Sequence, residues 1–339
     1  MFTVIVMEGL GQDLLDSIRA ATGIAQLELR HPPEHLSGGY YAEMVRFRLD
    51  GAPPELDRDL VARIVPNPAT GRTEAAVQAY VADHGVATPR VRLTCPETSA
   101  LGRFAIVMDL VDGRPPLAGI GGTALVRQLP LLVRGLPEQL AEVAARLHQI
   151  DPAPLEQELR ALDTGVPVTA TEFVELQLLG ATVAGAPELV DAAEELLGHE
   201  PRSPARAVTH GDLHPFNLLE RPDGPVLIDW TLAAVAHPAF TLSFTCLLLE
   251  HPPVELPRAA RAGLRPVGRR MSRRFVDAYR RTSEDAAEHL DPEALDWHRR
   301  LHALRICVEL AGWDAGDGRP PHHPWTIMEP TARSVLGLR

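Results

Sequence analysis

The chain has 339 residues and no lysine, so all 33 of its Lys/Arg-type cations are arginines. A phosphate-binding lysine is therefore not available. Any such task falls to guanidinium, which donates through a planar fork rather than as a point charge. Cysteine is scarce too. Cys95, Cys246 and Cys307 are odd in number, far apart and without metal spacing, which excludes a disulfide framework or a structural zinc site and fits reduced thiols in a cytoplasmic protein. Long apolar runs are missing, since Phe240 to Leu249 is too short to span a bilayer. Met1 to Met7 lacks the basic start and cleavage site of a signal peptide. There is no G-x-S-x-G elbow for a hydrolase. The net charge of −12 argues against general nucleic-acid binding. His31-Pro32-Pro33-Glu34-His35 spells a zinc motif, but two consecutive prolines forbid the helix that would bring both histidines to one face.

What the chain does contain is a dense polar stretch, His210-Gly211-Asp212-Leu213-His214-Pro215-Phe216-Asn217, followed by Ile228-Asp229-Trp230. Apolar runs bracket it: Ala205 to Val208, Leu218-Leu219, and Val226-Leu227-Ile228. An apolar run ending in Asp reads as a buried strand delivering a carboxylate to its mouth. Arg221-Pro222-Asp223-Gly224 suits a type I turn. Asn217 and Asp229 are thus expected at the two ends of a hairpin, near one rim. Phosphoryl transfer from a nucleotide needs such a rim, with one carboxylate to orient the acceptor hydroxyl and an Asp and an Asn to hold Mg²⁺. The competing reading is an Asp-rich turn between core strands.

The order Asp212, Asn217, Asp229 is that of the protein-kinase catalytic and metal residues. In the form H-G-D-x4-N followed by I-D-W it resembles the aminoglycoside phosphotransferase family, the small-molecule branch of the kinase-like fold that includes choline and homoserine kinases. The resemblance implies an α+β, two-lobed protein-kinase-like fold. Residues 1–107 would be a nucleotide-binding N-lobe, 108–111 a hinge, and 112–339 a C-lobe carrying the catalytic loop and acceptor-binding helices. It implies transfer of the γ-phosphate of ATP or GTP to a hydroxyl of a small molecule, an aminoglycoside-like antibiotic or a metabolite. Neither nucleic acid nor membrane would be a partner.

The resemblance also assigns residues. Asp212 would be catalytic, with Asn217 and Asp229 as Mg²⁺ ligands. Leu60 to Val65 reads as a strand, and its Arg63 occupies the place of the kinase V-A-I-K lysine, with Glu74 at the opening of a helix Thr73 to His84 as its candidate partner. Ser37-Gly38-Gly39 precedes the alternating strand Met44 to Leu49, where backbone N–H groups can cover phosphates. The apolar strand Phe104 to Val111 reads equally as a plain core strand or, by its position, as the strand that ends in the hinge, with Met108, Asp109 and Val111 beside the base. His214 stands where protein kinases place a second lysine and would reach the γ-phosphate or simply hold the loop. His148 and Asp151 would brace the catalytic loop.

Three departures from the family pattern motivate an alternative, a catalytically degenerate nucleotide- or ligand-binding module. Lysine is missing, Tyr41-Ala42 replaces the usual Ser-Asn after the glycine turn, and His237 and Thr241 replace two acids of G-D-P-x-x-D-L. The intact Asp212, Asn217 and Asp229 favour the enzyme. A protein kinase is disfavoured, because no A-P-E segment follows Trp230. Apolar spacing predicts helices over 8–22, 137–149, 154–163, 171–183, 186–198 and 291–313. Segment 258–281 holds nine arginines against Asp277, a solvated face or a surface for an anionic partner. Glu309, Asp314 and Asp317 are acids near the last long helix. Carboxylates of the family's last helices bind cationic acceptors, a role the resemblance does not fix on these three.

Overall fold

The computed structural model describes residues 2–36, 42–116, 122–253, 258–316, 318–321 and 323–338, so Ser37-Gly38-Gly39 and Asp317 lie outside the described residues. The chain divides into two compact units. The first comprises Met1–Arg114, Gln157–Val166 and Leu219–Thr231; the second comprises Pro115–Glu156, Pro167–Leu218 and Leu232–Arg339.

The first unit is built on helix α1 (Phe2–Thr22), short strands β1 (Glu28–Leu29) and β2 (Glu34–His35), then β3 (Glu43–Phe47), β4 (Leu49–Asp50) and β5 (Leu60–Val65). Helix α2 (Pro68–Asp83) and strands β6 (Val91–Cys95) and β7 (Phe104–Asp109) complete it. Five strands form one sheet in the order β2-β3-β5-β7-β6, every neighbour antiparallel. β5 is central and buried on both faces, which is why it reads as a continuous apolar run. Leu60, Ala62 and Ile64 face a core shared with Leu14 and Ile18 of α1. The alternate residues face the other side, where Val65 packs with Ala75, Phe104 and Ile106. Strand periodicity therefore puts Arg63 on the α2 face.

Helix α2 starts at Pro68, not at Thr73 as the apolar spacing suggested. Asn67 caps it by accepting from the Ala69 N–H at 3.0 Å, and Pro68 fills the first turn, where its missing N–H costs nothing. Glu74 consequently sits in the second turn on the buried face formed by Gly71, Glu74, Ala75 and Gln78. Gly71 lets that face close on the sheet. A Cβ there would lie 2.5 Å from the Phe104 ring and 2.6 Å from Val65.

The second unit is mainly helical: α3 (Gly122–His148), α4 (Pro152–Ala161, continuing into the first unit), α5 (Ala170–Val183), α6 (Pro187–Gly198), then strand β8 (Ala207–Thr209) and a 3-10 turn at Pro215–Asn217. The chain re-enters the first unit at Leu219, where strands β9 (Leu218–Leu219) and β10 (Val226–Leu227) pair, closed by a turn in which the Gly224 N–H donates to the Arg221 carbonyl at 3.2 Å. The chain then runs through β11 (Ala234–Ala236), α7 (Ala239–Glu250), α8 (Arg258–Thr282), α9 (Ala286–His289), α10 (Pro292–Ala315) and α11 (Pro324–Val335). α3 begins far earlier than the expected Pro137, which lies inside it. The one hydrogen bond that proline removes is outweighed by packing of α3 along α8. α7 is buried from Ala239 to Leu249, which accounts for its uniformly apolar sequence. It packs with α5, α6, α10 and α11 in the main core, around Phe173, Phe240, Phe244 and Trp297. β8 and β11 pair antiparallel, with Thr209 opposite Ala234, and so fix the start of the polar loop that follows. Among the described residues no helix is long and apolar enough to cross a membrane.

The close approach at Gly71 generates a test. Gly71→Ala should destabilise the protein by about 1–3 kcal/mol through overpacking, read as a lower urea midpoint. An unchanged midpoint would mean that α2 does not rest on Phe104 as described.

Candidate active site

In the first unit the sequence-predicted residues Arg63, Glu74 and Asp229 come together. The Arg63 side chain is 11% exposed and that of Glu74 1%, with Nε to Oε1 at 2.8 Å. Nη2 donates to the Thr231 hydroxyl at 3.0 Å and to Asp229 Oδ1 at 3.3 Å. Thr231 in turn donates to the same Asp229 oxygen at 2.6 Å. Asp229 has φ +67°, a left-handed backbone that Asp tolerates better than most residues. Its neighbour Trp230 is buried and anchors the segment by donating from Nε1 to the Thr88 hydroxyl at 2.9 Å.

One guanidinium thus faces two carboxylates, and the charges do not cancel. Burial pushes the Glu74 carboxyl up to about 7; Arg63 opposes the rise and Asp229 adds to it. For Arg63, burial works against its charge, but Glu74 and Asp229 overcome that and raise its pKa. The group is a fixed cation beside one buried carboxyl that takes up a proton near neutral pH and one partly exposed carboxylate.

The strand-end residues are placed as follows. Met108 is buried, and its sulfur accepts from Gln78 Nε2 at 3.3 Å. The Asp109 carboxylate takes a two-point pair from Arg92 at 2.7 and 2.6 Å. The N–H groups of Asp109 and Leu110 donate to the carbonyls of Arg90 and Asp59, both at 3.0 Å. Val111 is half-buried just beyond the strand. The side chains of Met108 and Asp109 and the N–H groups of Asp109 and Leu110 are thus engaged within the protein.

In the second unit the polar loop winds tightly around Asp212. Gly211 has φ +72°, and a Cβ there would collide with the Leu232 carbonyl and the Phe240 ring, so only glycine fits. His210 is fully buried, and its Nδ1 accepts from the Asp212 N–H at 3.2 Å. The Asn217 amide donates to the Asp212 carbonyl at 2.8 Å and to Oδ2 at 3.3 Å. That leaves the Asn217 oxygen as the atom of this side chain suited to a cation. Oδ1 of Asp212 is buried with no hydrogen-bond partner, with His214 Nε2 lying 3.5 Å away. His214 Nδ1 accepts from the Phe216 N–H at 3.2 Å, which caps the 3-10 turn and leaves Nε2 to carry the proton facing Asp212. Burial works to raise the Asp212 pKa, yet His214, Arg305 and His210 hold it well below the usual carboxylate range. Asp212 is therefore ionised and has one oxygen lacking a donor.

The two replaced acids still brace this region. Thr241 accepts from the N–H groups of His210 and Gly211 at 3.0 and 3.4 Å. His237 Nδ1 accepts from the Ala239 N–H at 3.0 Å at the start of α7. Burial lowers the His237 ring to about 4, so at neutral pH it is uncharged and its lone pair does what a carboxylate would do. His148, expected to brace the loop, has the Tyr279 hydroxyl as its hydrogen-bond partner at 2.7 Å, and Tyr279 also meets His289 at 2.7 Å. Asp151 caps α4 by accepting from the Ala153 N–H at 3.0 Å.

Sequence reasoning missed Thr231, which ties Arg63 to Asp229, and Arg305, whose charge acts on Asp212. Thr231 was within reach, two residues after the strand-terminal Asp. Arg305 carried no signal, because it lies in a helix with no motif.

The chain matches the model of a phosphotransferase enzyme family over residues 34–272. No curated protein matches it in sequence. Among solved structures it is similar to an ethanolamine kinase from Plasmodium vivax, at 11% identity and TM-score 0.61, covering 92% of this chain and 84% of that one. It is similar to a choline/ethanolamine kinase family protein from Mesorhizobium loti, at 15% identity and TM-score 0.57, covering 97% and 94%. It is also similar to a spectinomycin phosphotransferase, solved with ADP and spectinomycin, at 14% identity and TM-score 0.55, covering 96% and 97%. The α+β architecture is thus that of the protein-kinase-like phosphotransferases.

The raised Glu74 pKa generates a test. Its ordinary value is 4.5 and its folded value about 7, so between these the folded state holds a proton that the unfolded chain has released. Glu74 therefore contributes a loss of stability as pH rises through that window. The stability difference between wild type and Glu74→Gln, from urea unfolding at pH 5 and pH 8 (both set by that window), should shift against wild type at the higher pH. A difference independent of pH would place Glu74 at an ordinary pKa.

Proposed function

Since the chain belongs to the phosphotransferase enzyme family, we propose that it is a small-molecule kinase that moves the γ-phosphate of ATP or GTP to a hydroxyl group. The observation that carries this reading is Asp212. It is an ionised, half-buried carboxylate whose Oδ1 is enclosed without a hydrogen-bond partner. A substrate hydroxyl supplies that partner. Oδ1 would accept its hydrogen and orient the oxygen toward phosphorus, while Asn217 keeps Oδ2 and the loop in place.

Arg63 would donate to phosphate oxygens while Glu74 holds its side chain, the fork allowing both at once. Asn217 and Asp229 offer hard oxygen donors of the kind Mg²⁺ takes, and they stand in the motif at the metal positions. Mg²⁺ bound with the nucleotide would supply charge neutralisation on the phosphates. Asp229 suits that task because its carboxylate is 35% exposed and held by Arg63 and Thr231 without being enclosed. His214, fixed by its cap to Phe216, is assigned to the γ-phosphate side of Asp212. The Met108 to Val111 strand end would offer backbone groups to the base, with Ser37-Gly38-Gly39 over the phosphates. The similar spectinomycin phosphotransferase was solved with ADP and spectinomycin, which supports a nucleotide and a hydroxyl-bearing small molecule as the partners.

Calorimetric titration of ATP and of GTP, with and without Mg²⁺, tests the donor. Binding should be Mg²⁺-dependent; absence of binding by either nucleotide would favour the degenerate module. Asp212→Ala should lose phosphoryl transfer by about 10²-fold or more while keeping nucleotide affinity, and turnover at the wild-type rate would remove it from catalysis. Asp229→Ala should lose the Mg²⁺-dependent part of nucleotide affinity, and an unchanged titration would remove it from the metal site.

A further inference from the structure

The second unit carries a cation, Arg305, to which the reading above gives no contact with donor or acceptor. Arg305 lies on α10, one turn beyond His302, whose Nε2 donates to the Phe240 carbonyl at 2.7 Å and whose ring stacks on Phe244 at 4.5 Å. These contacts fix the face of α10 that meets α7. The Arg305 guanidinium then lies over two aromatic faces, 4.9 Å from the centre of Phe244 and 5.4 Å from that of Trp325. Its Nε and Nη2 are shielded from solvent without a hydrogen-bond partner. Among the described residues no carboxylate forms an ion pair with it. Aromatic faces stabilise a guanidinium but do not neutralise it.

The acids nearby show the opposite condition. Glu309, one turn further along α10, accepts from Trp325 Nε1 at 2.8 Å. Asp314 takes both arms of Arg319 at 2.7 and 2.6 Å, and Glu329 takes another nitrogen of Arg319 at 2.6 Å. Among the described residues the carboxylates at this end of α10, Glu309 and the exposed Asp314, already meet donors of the protein itself. The unpaired charge here is positive, and it lies over Phe244 of α7, the helix whose Thr241 and Thr245 bond the His210 and Gly211 N–H groups and the Leu213 carbonyl on either side of Asp212.

We infer that Arg305, set between Phe244 and Trp325 on the Asp212 side of α10, is a specificity-determining residue that selects acceptors carrying an anionic group, a carboxylate or a phosphate ester, in addition to the hydroxyl. The inference rests on the phosphotransferase reading and narrows it. An anion approaching Asp212 meets repulsion unless a cation accompanies it. A guanidinium gives the charge and a planar fork that matches carboxylate and phosphate oxygens. The aromatic faces hold that fork still, so less freedom is lost when it engages.

Trp325 supplies a reporter, because its indole N–H lies in the same contact set. With ¹⁵N-tryptophan-labelled protein, the Trp325 indole resonance is identified as the one lost in Trp325→Phe. Four three-carbon probes are then titrated: glycerate, glycerol 3-phosphate, glycerol and serinol, which carry a carboxylate, a phosphate ester, no charge and an ammonium. At least one of the two anions should move the Trp325 resonance, glycerate alone indicating a carboxylate and glycerol 3-phosphate alone a phosphate ester. Glycerol and serinol should leave it in place. In Arg305→Met the affinity for the responding anion should fall by about tenfold or more, and Arg305→Lys should keep a weaker response. The dispersion of the other indole signals reports whether each variant is folded. Silence from both anions, a response to serinol at equal concentration, or an anion response undiminished in Arg305→Met would overturn the inference. A parallel loss of ATP affinity in Arg305→Met would also overturn it, by assigning the cation to the donor. Titration of ATP with Mg²⁺ into wild type tests the phosphotransferase reading separately. Nucleotide binding without an anion response removes only the acceptor assignment.

Discussion

A single buried guanidinium set against two carboxylates governs the first unit. A charge taken out of water is tolerated only when partners meet it in good geometry, and each local feature around Arg63 serves that requirement. The strand period aims the side chain at α2. Gly71 removes the side chain that would hold α2 away, and Glu74 follows one turn later. The left-handed backbone at Asp229 and the Thr231 hydroxyl bring the second carboxyl group to the other side of the fork. The absence of lysine makes chemical sense here. Nε serves Glu74 while Nη2 serves Thr231 and Asp229, a division that an ammonium on a flexible stem would make less rigidly.

The second unit solves the converse problem of keeping a shielded carboxylate charged. Asp212 is half-buried, and His214, Arg305 and His210 offset the water it gives up with positive charge and dipoles. Gly211 allows the loop to turn under Leu232, and Thr241 satisfies the two N–H groups that the turn leaves inside. The replacement of family acids by Thr241 and His237 looks like a loss in the sequence. In the structure the need at both places is for a hydrogen-bond acceptor, and a hydroxyl and a neutral imidazole meet it. Those two departures therefore do not weaken the loop that holds Asp212.

Beyond Asp212 the unit's charges are sorted. Acids near the end of α10 are paired with Trp325 and Arg319, whereas Arg305 is left between aromatic rings. In a chain whose net charge is −12, an unpaired cation beside the candidate catalytic carboxylate is a selective feature of the acceptor side.

Local pattern carried much of this protein. The strand of Leu60 to Val65, the helices over 171–183 and 186–198, the hairpin turn at Arg221 to Gly224, and the kinase order of Asp212, Asn217 and Asp229 all follow from periodicity, turn chemistry and spacing, which are short-range properties. The starts of α2 and α3 did not, because a cap at Asn67 and packing along α8 decide where a helix begins when prolines leave several options. The partners of His148 and the role of Thr231 needed the structure as well. What only the tertiary structure decided is electrostatic: which acids are already paired, which cation is not, and where each carboxyl titrates. Those properties depend on burial and on charges far apart in the chain, such as Arg305 acting on Asp212, and no local window of sequence contains both.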